Sequence, residues 1–141
     1  MRPEAQLWNY LRNRCLPTDR FHASRIEAET AQGFPDVHYT YRGCSGTLEL
    51  KVSKSPNSKT PFKNSRLRRS QEQWIEQEIN ADGTVWIVLG CGQKVYLLDG
   101  LYWAFLKTLT ITGLERISTF HWTRGKTSSK EIRAILHKIL F

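Results

Sequence analysis

Apolar and polar positions recur along this 141-residue chain with two periods. Glu4, Trp8, Leu11 and Cys15 fall at i, i+4, i+7 and i+11, the spacing of one helix face, and Pro3 suits a first helical position. They predict a helix from Pro3 to about Arg14. Leu16-Pro17-Thr18-Asp19 reads as a turn. From Phe21 to Thr30 the period shortens to two, with Ile26 and Ala28 opposed to Arg25, Glu27 and Glu29, which predicts a strand that Gln32-Gly33-Phe34-Pro35 breaks. Val37 to Tyr41 is rich in β-forming residues and predicts a second strand, with Arg42 to Gly46 as a hairpin-like connection. Thr47 to Ser53 is the clearest strand. Leu48, Leu50 and Val52 point one way, and Thr47, Glu49, Lys51 and Ser53 the other.

Beyond it, Trp74, Ile75 and Ile79 form the apolar side of a helix from Ser70 to about Asn80, which Ala81-Asp82-Gly83 ends. Val85 to Leu89 is a continuous apolar run of strand length, the pattern of a central strand covered on both faces. Gly90 to Gln93 is a turn, and Lys94 to Leu98 a further short strand. Asp99 can cap a helix from Leu101 to about Leu109 that carries Tyr102, Trp103 and Phe105. Residues 111–125 are irregular in pattern. Ser128 to Glu131 is a capping box for a last helix, with Ile132, Ile135, Leu136 and Ile139 on one face. The order of helix, three strands, helix, two strands and two helices predicts a mixed α/β domain with a central sheet.

Composition narrows the partners. The formal net charge is +8 and the hydrophobic fraction 40%, so the chain can fold around a core and favours a polyanion, either nucleic acid or an anionic membrane surface. Only the last helix comes near the basic amphipathic pattern that a membrane-surface role needs. No apolar run approaches a bilayer span, and no signal-peptide pattern opens the sequence, which leaves an intracellular protein as the expectation. Cys15, Cys44 and Cys91 are far apart and odd in number, which disfavours a disulfide framework and a structural zinc site. Lys51 to Ser70 holds seven basic residues and no acidic one. Its prolines and serines argue for an extended, mobile loop, either a solvated linker or a nucleic-acid clamp through Lys54, Lys59, Lys63, Arg66, Arg68 and Arg69.

Candidate chemistry concentrates in the middle strands. Glu49 and Lys51 are two apart, so they share a face. Pairing through the Gly43–Gly46 connection would bring Asp36 within reach of Glu49. Converging carboxylates repel unless a divalent cation relieves them, and Mg²⁺ takes oxygen ligands while keeping waters for a phosphate. Lys51 could orient a water or neutralise charge on phosphate. Each motif alone has an ordinary reading, since Glu-x-Lys is common on exposed strands and Pro-Asp in turns. The pair, in this order and joined by a hairpin, points to a metal site. Glu4, at the end of an apolar stripe, is either a helix-start charge favoured by the dipole or a carboxylate aimed into a site. His38 shares the face of Asp36 and reads as a strand histidine. Glu27 and Glu29 read as surface charges, and Trp103 and Phe105 as packing residues.

With Glu4 on its helix, Gly33-Phe34-Pro35-Asp36, Leu48-Glu49-Leu50-Lys51, Leu67-Arg68-Arg69-Ser70-Gln71-Glu72-Gln73-Trp74 and Gly83 before Val85–Leu89, the chain resembles the PD-(D/E)XK nuclease superfamily. Within it, the chain is similar to the VRR-NUC branch and to archaeal-type Holliday junction resolvases, over roughly residues 4 to 98. The resemblance implies a restriction-endonuclease-like αβββαβ core whose central mixed sheet is flanked by helices. The whole chain would then be a single nuclease domain with a helical extension over about residues 99–141. It implies Asp36 and Glu49 as direct metal ligands, helped by the backbone carbonyl of Leu50. Lys51 would be the catalytic lysine, Gln71 a contact to the site or the phosphate, and Glu4 a carboxylate that reaches the metal. The implied cofactor is Mg²⁺, with Mn²⁺ able to substitute. The implied activity is structure-selective cleavage of branched DNA, a four-way junction above all, by a homodimer whose two-fold axis matches the junction. Two alternatives stand beside it: a repair- or restriction-type nuclease on duplex, flap or single-stranded DNA, and a non-catalytic nucleic-acid-binding module on the same fold.

Overall fold

The computed structural model describes residues 2–26, 36–65 and 67–141. Among them runs a six-stranded sheet in which spatial order follows chain order: β1 (Phe21–Arg25), β2 (Val37–Tyr41), β3 (Cys44–Val52), β4 (Val85–Cys91), β5 (Lys94–Asp99) and β6 (Phe120–Thr123). Every pairing is antiparallel except β3 with β4. A parallel pair needs a crossover, and the connection through α2 (Arg69–Asn80) supplies it. The expected α/β class, with a mixed sheet flanked by helices, is thus observed, and the order helix, three strands, helix, strand opens the chain.

The alternation in β3 sorts the two faces. Leu48 and Leu50 join Val88 in a core closed by Leu7 and Leu11 from the N-terminal helix and Leu136 from α4 (Ser129–Leu140). On the other face Ile87, Leu89, Tyr96 and Leu98 pack with Phe62 and with Leu114 of α3 (Ile111–Ile117). No helix among the described residues is long and apolar enough to cross a membrane.

Several expectations need correction. The first helix, α1, is regular only over Pro3–Tyr10, and Leu11–Cys15 widens into π-turns, with the Leu16 N–H donating to the Leu11 carbonyl at 2.8 Å. The Arg133 guanidinium donates to the carbonyls of Asn13 (2.8 Å) and Leu16 (3.2 Å) and so closes that helix end. Arg124 likewise stacks on the Tyr10 ring, 4.2 Å from its centroid. The first strand ends at Arg25, and its expected continuation with Glu27, Ala28 and Glu29 lies outside the described residues, as do Gly33 to Pro35. The helix expected over 101–109 is a short 3₁₀ segment, Gly100–Phe105, in which Leu101 and Phe105 stay exposed. Asp99 nevertheless caps it, accepting from the Leu101 N–H at 3.0 Å. Residues 111–125 hold both α3 and β6. Of the four residues in β6 only Trp122 is buried, too short an alternation to stand out.

The basic stretch after β3 is folded rather than extended. Phe62 is fully buried in the second core. The buried Ser53 hydroxyl donates to the Pro61 carbonyl (2.6 Å) and accepts from the Ser55 N–H (3.0 Å). Backbone turns from Ser58 to Ser55 (3.0 Å) and from Lys63 to Thr60 (3.1 Å) complete the frame.

The turn between β2 and β3 sets their register. Arg42 and Gly43 both take positive φ, +50° and +84°, as a two-residue mirror-image turn requires. β3 therefore begins at Cys44, three residues before the expected start, and the pairing runs from Tyr41↔Cys44 to Val37↔Leu48. Midway, the Tyr39 ring lies against Gly46, where any Cβ would collide with it.

Candidate active site

β2 stops at Val37, opposite Leu48, while β3 runs on to Val52 beside β4. Asp36 fills the place of the missing strand. Its Oδ2 accepts from the Leu50 N–H at 2.8 Å, where a ladder carbonyl would otherwise sit. The N–H and C=O of one strand residue point to the same side, so the Leu50 carbonyl also faces Asp36. The register, continued by one residue, sets Asp36 opposite Glu49. The backbone of Asp36 is held as well, its carbonyl accepting from the Ile26 N–H at 2.8 Å.

Glu49 is 1% exposed. Its Oε1 accepts from Gln71 Nε2 at 3.1 Å, whereas Oε2 is buried with no hydrogen-bond partner among the described residues. Burial pushes its carboxyl up to about 9. The Asp36 charge pushes the same way, and Lys51 pulls back. The Asp36 and Glu49 carboxylates repel each other when both are ionised. A buried carboxylate pair with an orphaned oxygen is costly in isolation and suited to a hard cation. Asp36, Glu49 and the Leu50 carbonyl offer the oxygen set that Mg²⁺ prefers. Among the described residues no group of three His, Cys, Asp or Glu side chains gathers to hold a metal. Two carboxylates and a backbone carbonyl would then be the protein's share of the ligands.

Gln71 is oriented rather than merely near. Its Oε1 accepts from the Arg68 N–H at 2.8 Å, closing the start of α2, and this turns the amide nitrogen toward Glu49. Lys51, half-buried, follows Glu49 by two residues and lines a cavity of about 320 Å³. Lys54 and Lys63 line the same cavity, and so does Glu4. The structure therefore brings Asp36, Glu49, Gln71 and Lys51 together, and sets Glu4 among lysines rather than in a cluster of carboxylates.

The other candidates are dispersed. Lys59, Arg68 and Arg69 are exposed and do not line the cavity, and Arg66 lies outside the described residues. His38 is exposed and pairs with Thr47. Trp103 is half-buried against the second core. Sequence reading missed the Asp36 bond to Leu50, which needs the register to be known, and the anchoring of the basic stretch. The lone Phe62 among polar residues was the available signal for the anchor.

No protein-family model matches this sequence, and no curated protein matches it. Among solved structures, Archaeoglobus fulgidus Hjc, a Holliday junction resolvase from an archaeal hyperthermophile, is similar at 13% identity and a TM-score of 0.44, over 70% of this chain and 74% of that one.

Proposed function

We propose that the protein is a metal-dependent endodeoxyribonuclease selective for branched DNA, with a four-way junction as its preferred substrate. The observation that carries the reading is Glu49: buried, facing Asp36, and holding one oxygen with no hydrogen-bond partner among the described residues. A bound Mg²⁺ would relieve that carboxylate pair, polarise a phosphate and lower the pKa of a water, and Mn²⁺ would substitute. Asp36 and Glu49 would hold the ion, with the Leu50 carbonyl as a third oxygen. Lys51 presents its ammonium on the same face, where it neutralises charge that builds on the phosphate or orients the attacking water. Gln71 keeps the Glu49 carboxylate in one orientation through Oε1. A net charge of +8 supports a nucleic-acid substrate.

The choice of branched DNA is supported by the sequence resemblance. A homodimer would match the two-fold symmetry of a junction.

A panel of junction, flap, duplex and single-stranded DNA, incubated with Mg²⁺ and with EDTA, tests this. The expected result is Mg²⁺-dependent cutting of the junction that Glu49→Gln abolishes while binding persists. Equal cutting of duplex or flap would reassign the substrate to a repair or restriction type. Salt-dependent binding with no cleavage of any substrate would make the chain a binding module.

A further inference from the structure

We propose that the cavity beside Lys51 is a subsite for a second phosphate of the DNA strand, the one next to the scissile phosphate, and that Glu4 belongs to this subsite rather than to the metal site. The proposal rests on the nuclease reading for the meaning of "scissile", but its binding chemistry stands on the cavity alone.

The cavity opens at the end of β3, where Lys51 belongs to both places: it shares the face of Glu49 and forms part of the cavity wall. Two residues of strand separate Lys51 from Glu49, about 6.6 Å at 3.3 Å per residue, so an anion there lies one short step from the carboxylates. The volume, about 320 Å³, is roughly ten water volumes at about 30 Å³ each, room for a phosphate with its sugar and not for a duplex. The wall carries three ammonium groups, from Lys51, Lys54 and Lys63, with Ser58 and Asn64 as neutral hydrogen-bonding groups.

The frame is built before any ligand arrives. The buried Ser53 hydroxyl, the Lys63–Thr60 turn and the buried Phe62 hold the segment that bears Lys54 and Lys63. A preformed wall avoids the ordering cost that a flexible lysine loop pays on binding.

Glu4 tunes what enters. A terminal phosphomonoester carries about −1.5 to −2 charge at pH 7, whereas an internal phosphodiester carries one negative charge. A carboxylate in the wall repels the doubly charged group more than the singly charged one. Glu4 thereby favours an internal phosphate over a strand end, as an endonuclease requires.

The test is DNA binding by the full chain in EDTA, which needs no cleavage, using junction strands with single neutral methylphosphonate substitutions scanned along the backbone. For wild type, affinity should fall several-fold at one phosphate in each of the two strands that the dimer cuts. For Lys54→Gln/Lys63→Gln that extra loss should vanish, and the slope of log affinity against log salt should shrink by about 0.7 to 0.9 per lysine. Glu4→Gln should tighten binding of a 5′-phosphorylated oligonucleotide relative to its unphosphorylated form. A metal-ligand role for Glu4 predicts no change in EDTA and weaker Mg²⁺ binding instead, and that result would remove Glu4 from the subsite. A double-lysine variant that melts like wild type yet keeps the full methylphosphonate penalty would overturn the subsite. Failure to cut any DNA, with the binding pattern as expected, would sink the nuclease reading and leave the subsite standing.

Discussion

The two ends of β3 are built on opposite principles. At the hairpin end, β3 pairs with β2 from Cys44 to Leu48 across a tight two-residue turn, β4 joins it at Thr47, and the Tyr39 ring closes over Gly46. The open cavity at that end, about 530 Å³, is walled in part by the apolar side chains of Leu101, Phe141 and Ile79. At the other end β2 is gone, a carboxylate replaces its backbone, and the neighbouring cavity is walled mainly by polar and charged groups. The contrast teaches where chemistry can be housed in such a sheet. Where β2 runs beside β3 the backbone groups on that edge are committed, and where β3 outruns β2 it presents them to something else.

The sharpest way to test that contrast is at the carboxylates. Asp36→Asn or Glu49→Gln should lower Mg²⁺-dependent cleavage by more than about 100-fold, since losing a direct ligand exceeds the 10–100-fold cost of losing an outer partner. Single-turnover cleavage of a junction measures it. Gln71→Ala removes such an outer partner, because its amide holds Glu49 Oε1 at 3.1 Å, and should cost about 10–100-fold in activity or Mg²⁺ affinity. At the hairpin end the effect should fall on stability instead. Gly46→Ala forces a Cβ against the buried Tyr39 ring and should cost about 1–3 kcal/mol in chemical denaturation, with activity per folded molecule unchanged. If Gly46→Ala lowered activity with no loss of stability, the division between the ends would fail.

A pH slope reports on the same carboxylate without any substrate. Without a cation, the Glu49 carboxyl is pushed from 4.5 to about 9, chiefly by burial. Between those values the folded chain holds a proton that the unfolded chain has lost. Its contribution to stability is therefore complete below about pH 4.5 and lost as pH rises through about 9. Denaturation in EDTA from pH 5 to 9 should show this slope in wild type and a flatter one in Glu49→Gln.

Much of this was legible in the sequence, and the reasons are local. The alternation from Leu48 to Lys51 predicts which face each side chain takes, and the continuous apolar run of β4 predicts its central place. The Asp99 and Ser128 caps are found as expected, Ser128 Oγ accepting from the Glu131 N–H at 3.2 Å. What the pattern could not carry depended on distant partners. The π-turns after Tyr10 are finished by Arg133, more than 100 residues away in sequence. The short β6 exists because β5 has an edge to offer. Glu4 has the helix position expected of it, but its surroundings are set by a basic segment whose fold hinges on Phe62. Asp36 and Glu49 were identifiable as a pair, whereas the Leu50 N–H that Asp36 accepts from emerges only from the length of β2.

The two-residue turn at Arg42-Gly43 makes the site a matter of counting. Five paired positions separate it from Asp36 and Glu49, and each must be filled once for the carboxylates to meet. Exchanging an outward-facing residue along that ladder leaves the count intact. Inserting or deleting one, even at the exposed turn, would set Asp36 against a leucine and turn the polar row toward the core. The hairpin thus admits exchanges at its outward-facing positions but not indels, and on the nuclease reading a change in length far from the carboxylates should disable the site as surely as Glu49→Gln.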